Sequence, residues 1–297
     1  MTYELSEQEL TAFRHDGFVA IDRLIPNYEI ARLNGILLEL HQRRVGFKEG
    51  ALFDAVGLDD GTEPPRFPQI MMPRSFAPEL GKSDFFDVGL ALAKQLIGET
   101  ARLKADIAFF KPAHIGSQTP WHQDEAFGDA KSEYDEVTIW LAITPANADN
   151  SCMSFVPGSH LNPILEHRPL GGDTRIHALE CIADFDRQNV IERPLQPGGC
   201  TIHHRRTLHY AGPNTSDQMR IGYALIFDTV PVPRSQPYDF IWHRDRNTAR
   251  ASRERRWRLR GGILVYAWRQ RDRLRINRLF ADLRKVGNAA FKLVGAR

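Results

Sequence analysis

Cysteine is scarce in this chain: three residues in 297, at Cys152, Cys181 and Cys200. A sparse, odd count without C-x-x-C spacing argues against a disulfide framework, so a reducing interior is expected. Long hydrophobic runs are missing as well. The apolar stretch from Ile263 to Trp268 is far shorter than the roughly 20 residues that a membrane-spanning helix needs. Met1 is followed by Thr2-Tyr3-Glu4 rather than an apolar segment, so no signal peptide is expected and a cytoplasmic protein is the natural reading. No internal repeat or low-complexity tract interrupts the chain. What remains is an ordinary soluble composition, long enough to bury a full sandwich core.

Charge is balanced overall and unbalanced locally. Residues 241–297 hold 17 Lys and Arg against 4 Asp and Glu, a net +13, which leaves the first 240 residues at −11 within the total of +2. Such asymmetry points to an anionic partner and says nothing about fold. Within this stretch Arg253 to Arg260 is a dense arginine run. Ile276, Leu279, Phe280, Leu283, Val286, Ala290 and Phe291 recur at helical spacing. A basic amphipathic helix of this kind can cover its own domain, dock a partner or lie peripherally on an anionic membrane. No nucleic-acid-binding module accompanies the charge. The chain therefore divides into residues 1–240, a core domain, and 241–297, a basic helical extension.

Ser6 and Glu9 form a capping box for a helix toward His15, and Gly17 suits its left-handed end. Phe18 to Leu24 reads as a strand. Pro26-Asn27 opens a second helix with Ile30, Leu33, Leu37 and Leu40 on one stripe, and Phe85 to Ile97 is a third. Residues 46–82, rich in Gly and Pro, are expected to be a loop over one mouth of the core. Strands follow at Ile107–Lys111, Val137–Ile143, Met153–Val156, Cys200–His204 and Arg220–Asp228. In the second of these, large aliphatics alternate with Thr138, Trp140 and Ala142. Short strands after N-terminal helices predict a mainly β fold, a double-sheet jelly roll with helices outside.

His122-Gln123-Asp124 holds the chemistry. On an extended segment a histidine and an aspartate two apart project to one side. A second histidine from a later strand would complete a triangular face around one metal ion, leaving the opposite face open, as in non-haem Fe(II) oxygenases. His203, His204 and His209 compete for that place, and the first two, being adjacent, cannot both face the metal. Arg220, on a strand face with Gly222, Ala224 and Ile226, offers a planar cation suited to a carboxylate, with small neighbours that leave room for it.

These residues, with Pro120-Trp121, Trp140, Pro157-Gly158-Ser159-His160 and the run from Thr207-Leu208-His209 through Pro213-Asn214-Thr215-Ser216 to Arg220, resemble the phytanoyl-CoA dioxygenase (PhyH-like) family of Fe(II)/2-oxoglutarate oxygenases. The resemblance covers roughly residues 5–230. It implies a double-stranded β-helix, Fe(II) held by His122, Asp124 and His209, and 2-oxoglutarate as cosubstrate beside Arg220 and Trp140. It further implies O2 as oxidant, with ascorbate as a stimulant of turnover. The implied reaction hydroxylates an unactivated carbon of a small organic molecule while 2-oxoglutarate is decarboxylated to succinate. Desaturation, cyclisation or another oxidation at the same iron is the alternative outcome. Asp124 stands where the related halogenases have a small residue, which favours oxygen chemistry. The family's serine two residues after the distal histidine is Ala211 here, and Ser216 or Thr207 are candidates to replace its hydroxyl. Lys111 and Gln118 are further candidate pocket donors. The basic extension suggests an anionic or carrier-linked substrate. A catalytically silent metal-binding scaffold that recruits partners through the extension is the reading from another class.

Overall fold

A computed structural model describes residues 3–115 and 117–262. In chain order its strands are β1 (Phe18–Ile21), β2 (Leu52–Asp54), β3 (Pro68–Met71), β4 (Arg102–Lys111), β5 (Thr119–His122), β6 (Ser132–Glu133), β7 (Glu136–Ala142), β8 (Met153–Phe155), β9 (His167–Pro169), β10 (Leu179–Cys181), β11 (Ile191–Arg193), β12 (Cys200–His204), β13 (His209–Ala211), β14 (Arg220–Asp228) and β15 (Val232–Pro233). Seven of them form one sheet in the order β1-β12-β7-β14-β4-β3-β2. Four form a second in the order β11-β8-β13-β5.

The alternation in β7 decides how the layers stack. Val137, Ile139 and Leu141 share one buried cluster with Ile30, Leu33, Leu37, Phe85, Val88 and Leu92 of the helices. Trp140 and Ala142 point the other way, into a second cluster with Phe18 and Ala224 of the large sheet and Met153 and Phe155 of the small one. Helices thus cover one face of the large sheet and the small sheet covers the other. That is the jelly-roll arrangement expected from the sequence.

Local chemistry sets the helix ends. The Ser6 hydroxyl accepts from the Glu9 amide while the Glu9 carboxylate accepts from the Ser6 amide, so α1 (Glu7–Asp16) begins with both donors satisfied. Gly17, at φ 82°, turns the chain into β1, and a side chain there would overlap His160 and Thr207. In α2 (Asn27–Gln42) the apolar stripe is the buried face. Each such side chain contributes about 1.5–3 kcal/mol. Ser83 caps α3 (Asp84–Ile97) through the Phe86 amide.

Two expectations need correction. The segment 46–82 is not only a loop: β2 and β3 lie within it and extend the large sheet past β4. Phe53 and Ile70 are buried there, and Pro68 is the first residue of β3, a position where its missing donor costs little. β1 ends at Ile21 rather than Leu24, because the Leu24 and Ile25 amides turn to the Gly198 carbonyl.

The chain separates into two compact units, Met1–Arg253 and Glu254–Arg297. Residues 241–253 of the basic stretch therefore belong to the first. The Trp242 indole donates to the Ala126 carbonyl at 2.9 Å. Buried Arg253 donates to the carbonyls of Phe47, Leu52 and Asp59 and pairs with the Asp59 carboxylate. The arginine run lies in α4 (Ala249–Trp257) and the following turn, Arg258–Gly262. The amphipathic pattern from Ile276 to Phe291 lies outside the described residues. Among those described, no helix is long and apolar enough to cross a membrane.

Candidate active site

β5 ends on His122, and β13, paired beside it, begins on His209. The register sets the two histidines opposite each other, with ring centroids 4.1 Å apart. Asp124 opens the short turn Asp124–Phe127. Its Oδ1 lies 3.7 Å from Nε2 of His122 and 3.7 Å from Nε2 of His209. One ligand atom from each of the three lies within 4.8 Å of the others.

The imidazoles are oriented from behind. Nδ1 of His122 donates to the Pro120 carbonyl at 2.7 Å, and Nδ1 of His209 to the Thr207 carbonyl at 2.9 Å. Each Nε2 is left as a lone pair directed at Asp124, the tautomer a metal ligand needs. Burial lowers the pKa of His122, and lowers that of His209 well below the ordinary value with help from His122 and His203. Both rings stay neutral as a result. Burial works against ionising Asp124, yet His209, His203 and His122 hold its carboxyl below the usual range. Two neutral nitrogens and one carboxylate oxygen facing a common point suit a divalent iron. The donor set fits the ion that the sequence pattern implied.

Asp124 Oδ2 is engaged elsewhere: it accepts from the Thr138 hydroxyl at 2.8 Å and from His203 Nε2 at 3.2 Å. The three competing histidines are thereby sorted. His209 joins the ligand group and His203 grips the carboxylate from the large sheet. His204 turns away toward His160, its Nδ1 accepting from the Arg206 amide. Gln123, between the ligands, is fully buried. Its side chain joins the Arg206 carbonyl to the Leu165 amide and so pins the turn. Glu125 is buried among Arg205, Arg206 and Arg234. Neither anchor had a readable signal, since each depends on chain segments far apart in sequence.

A second group lies at the ends of β4 and β14, where Arg220 is the register partner of Lys111. Both side chains are buried, at 1% exposure for Lys111 and 2% for Arg220. Among the described residues neither forms an ion pair. Lys111 Nζ donates to the Ser151 hydroxyl at 2.7 Å and to the carbonyls of Ala211 and Gly212. Arg220 donates to the same hydroxyl at 3.3 Å, and its Nε has no partner among the described residues. Burial pushes the Arg220 pKa down to about 10, and burial with the neighbouring Arg220 lowers that of Lys111 well below normal. Two buried cations without a counter-ion are costly unless an anion joins them. The arrangement fits a carboxylate.

A match to the family model described as phytanoyl-CoA dioxygenase (PhyH) runs over residues 13–222 and takes in every ligand candidate and Arg220. The chain belongs to the PhyH family. Its curated relatives include a probable alpha-ketoglutarate-dependent hypophosphite dioxygenase of Stutzerimonas stutzeri, 32% identical over 142 residues, or 45% of this chain and 48% of that one. Phytanoyl-CoA dioxygenase domain-containing protein 1 of Danio rerio is 29% identical over 39% of this chain and 41% of its own. The chain spans about half the length of the curated relatives it matches. Among solved structures, EvdO2 from Micromonospora carbonacea var. aurantiaca, complexed with 2-oxoglutarate, is 29% identical. It covers 82% of this chain and 98% of its own with a TM-score of 0.70.

For this PhyH-family chain the remaining pocket candidates fall on different sides of the site. Trp140 lies over Gly222, where a Cβ would come within 2.2 Å of the indole, and the Arg220 guanidinium sits 5.1 Å from its ring centroid. The small residues of β14 therefore make room for the indole, not only for a ligand. Thr207 and Ser216 do not reach the cations. The Thr207 hydroxyl donates to the Gly17 carbonyl, and Ser216 is bound to Asn214 within the turn. Gln118 accepts from the Tyr210 hydroxyl instead, in a partly exposed pair. Asn214 is buried and donates to the carbonyls of Lys111 and Gln218, so it fixes that turn to β4. Ser151, which no sequence pattern singled out, is the hydroxyl that meets both cations.

Proposed function

We propose that this chain is an Fe(II)/2-oxoglutarate-dependent oxygenase that hydroxylates an unactivated carbon of a small organic molecule. The observation that carries the reading is the pairing of two groups in one fold. His122, Asp124 and His209 converge with one ligand atom each within 4.8 Å. Lys111 and Arg220, buried and without a carboxylate partner among the described residues, meet at Ser151.

His122, Asp124 and His209 would hold the iron, which supplies oxygen activation coupled to decarboxylation of 2-oxoglutarate. The overall balance is substrate C–H, 2-oxoglutarate and O2 giving C–OH, succinate and carbon dioxide. Asp124 provides the negative ligand and so lowers the net charge that the buried site must accommodate. Arg220, with most of its donors uncommitted, would take the cosubstrate's distant carboxylate, and Lys111 adds to the local positive field. Trp140, 4% exposed, closes the inner wall and excludes water. Phe127 stands edge-on to His122 and stacks on His177. It is 38% exposed, which makes it a candidate wall for the substrate. The retained Asp124 supports oxygen transfer over halogenation. The net +13 of residues 241–297 supports an anionic or carrier-linked substrate.

The test supplies the purified protein with Fe(II) and 2-oxoglutarate in air and follows succinate. Release that is slow alone and faster with a metabolite pool is the expected result. No O2-dependent loss of 2-oxoglutarate in either case would overturn the assignment.

A further inference from the structure

Ser151 lies in the turn before β8 with φ 82°, in the left-handed region that residues with a side chain seldom adopt. It is 1% exposed. A non-glycine residue held in such a conformation invites a functional explanation, and its hydroxyl supplies one. Lys111 Nζ and Arg220 Nη2 both donate to Ser151 Oγ, at 2.7 and 3.3 Å. With both lone pairs occupied, the hydroxyl is left with its hydrogen to give, and it gives it to no acceptor among the described residues. Lys111 has meanwhile spent its other two donors on the Ala211 and Gly212 carbonyls. The lysine has no N–H left for a ligand. The Ser151 O–H is thus the group through which this pair of side chains reaches a ligand.

We propose that Ser151 is a cosubstrate-binding residue: its hydroxyl, held by Lys111, donates alongside Arg220 to the distal carboxylate of a dicarboxylic 2-oxo acid. The inference rests on the oxygenase reading above and deepens it. Selectivity for a diacid over a monoacid then resides in a hydroxyl delivered by a strained turn, not in Arg220 alone. Ala211, two residues from His209 on the same face of β13, has no hydroxyl to offer there.

The experiment measures binding rather than turnover. Protein loaded with Co(II) under anaerobic conditions is titrated with 2-oxoglutarate, and separately with 2-oxopentanoate, which lacks the distal carboxylate. The visible Co(II) spectrum reports occupancy. Ser151→Gly suits the left-handed backbone, so folding is not at issue, and Ser151→Ala removes only the oxygen. Both variants are expected to weaken 2-oxoglutarate binding roughly 10- to 100-fold, the effect of one hydrogen bond to a charged group. Affinity for 2-oxopentanoate stays unchanged, and Ala211→Ser in the Ser151→Gly background restores part of the loss. Unchanged 2-oxoglutarate affinity, or an equal loss for both acids, overturns the role of Ser151 alone. Wild-type protein whose Co(II) spectrum ignores 2-oxoglutarate would sink both this inference and the reading beneath it.

Discussion

Thr138 and His203 bind one oxygen of Asp124, and the consequence falls on the other. With Oδ2 tied to two donors from the large sheet, Oδ1 is the atom presented to both Nε2 positions. A carboxylate held this way favours single-point binding, which keeps the open face of the ion free. His203→Leu is therefore expected to weaken Fe(II) binding by about 10- to 100-fold, while His203→Gln, which keeps a donor, retains most of it. Calorimetric titration of the apoprotein measures this, and equal affinities for both variants would remove His203 from the account. Arg220→Ala should raise the 2-oxoglutarate concentration needed for half-saturation far more than it lowers iron content; an unchanged requirement would reassign the arginine. At this scale the sequence showed what stands close along the chain. His122 and Asp124 were legible because they stand two apart in sequence, although His122 ends β5 and Asp124 opens the turn after it. Ser151 was not, and His203 was readable only as a competing ligand and not as the grip on Asp124, because their partners arrive from other strands through a register that composition does not encode.

Elements translate those contacts into stability. β14 lies between β7 and β4, and Gly222 lets the Trp140 indole cross it. Gly222→Ala drives a methyl group into that ring. Overpacking of this kind costs about 1–3 kcal/mol and would move Trp140 away from Arg220. A lower urea midpoint together with a changed tryptophan emission is expected, and wild-type values for both would refute the close approach. Arg253 stitches segment 46–59 to the end of the first compact unit. Removing it with Arg253→Ala takes the cation from the half-buried Asp59 carboxylate and the donor from the carbonyls of Phe47 and Leu52, a loss of stability that thermal unfolding would register. The three helices and the alternation of β7 could be read from capping residues and periodicity. β2 and β3 could not, since short strands between glycines and prolines carry too few residues for a period to show.

For the whole molecule, burial of neutral histidines sets the acid limit. His122, His209 and His177 have lowered pKa values. His167 is lowered to about 4 and His204 to about 3, burial being the largest cause in every case. A histidine with a depressed folded-state pKa binds its proton more readily when unfolded. Its contribution is therefore present above the unfolded value of roughly 6.5 and lost as pH falls below it. Asp124, whose carboxyl is held down, adds a further loss below about pH 4. The apoprotein should lose stability steadily from pH 6.5 toward 4, and a urea midpoint that is flat over that range would contradict the burial described. Charge at this scale was plain in the sequence, with +13 gathered into residues 241–297, although composition does not say which anion it meets.

Three side chains sharing one ferrous ion form the centre of the proposed site. Crystals of the protein loaded anaerobically with Fe(II), measured at the iron absorption edge, test it directly. The prediction is a single anomalous peak about 2.0–2.2 Å from His122 Nε2, His209 Nε2 and Asp124 Oδ1, distances typical of nitrogen and oxygen ligands to a divalent metal. A peak bound elsewhere, or none among these residues, would contradict it.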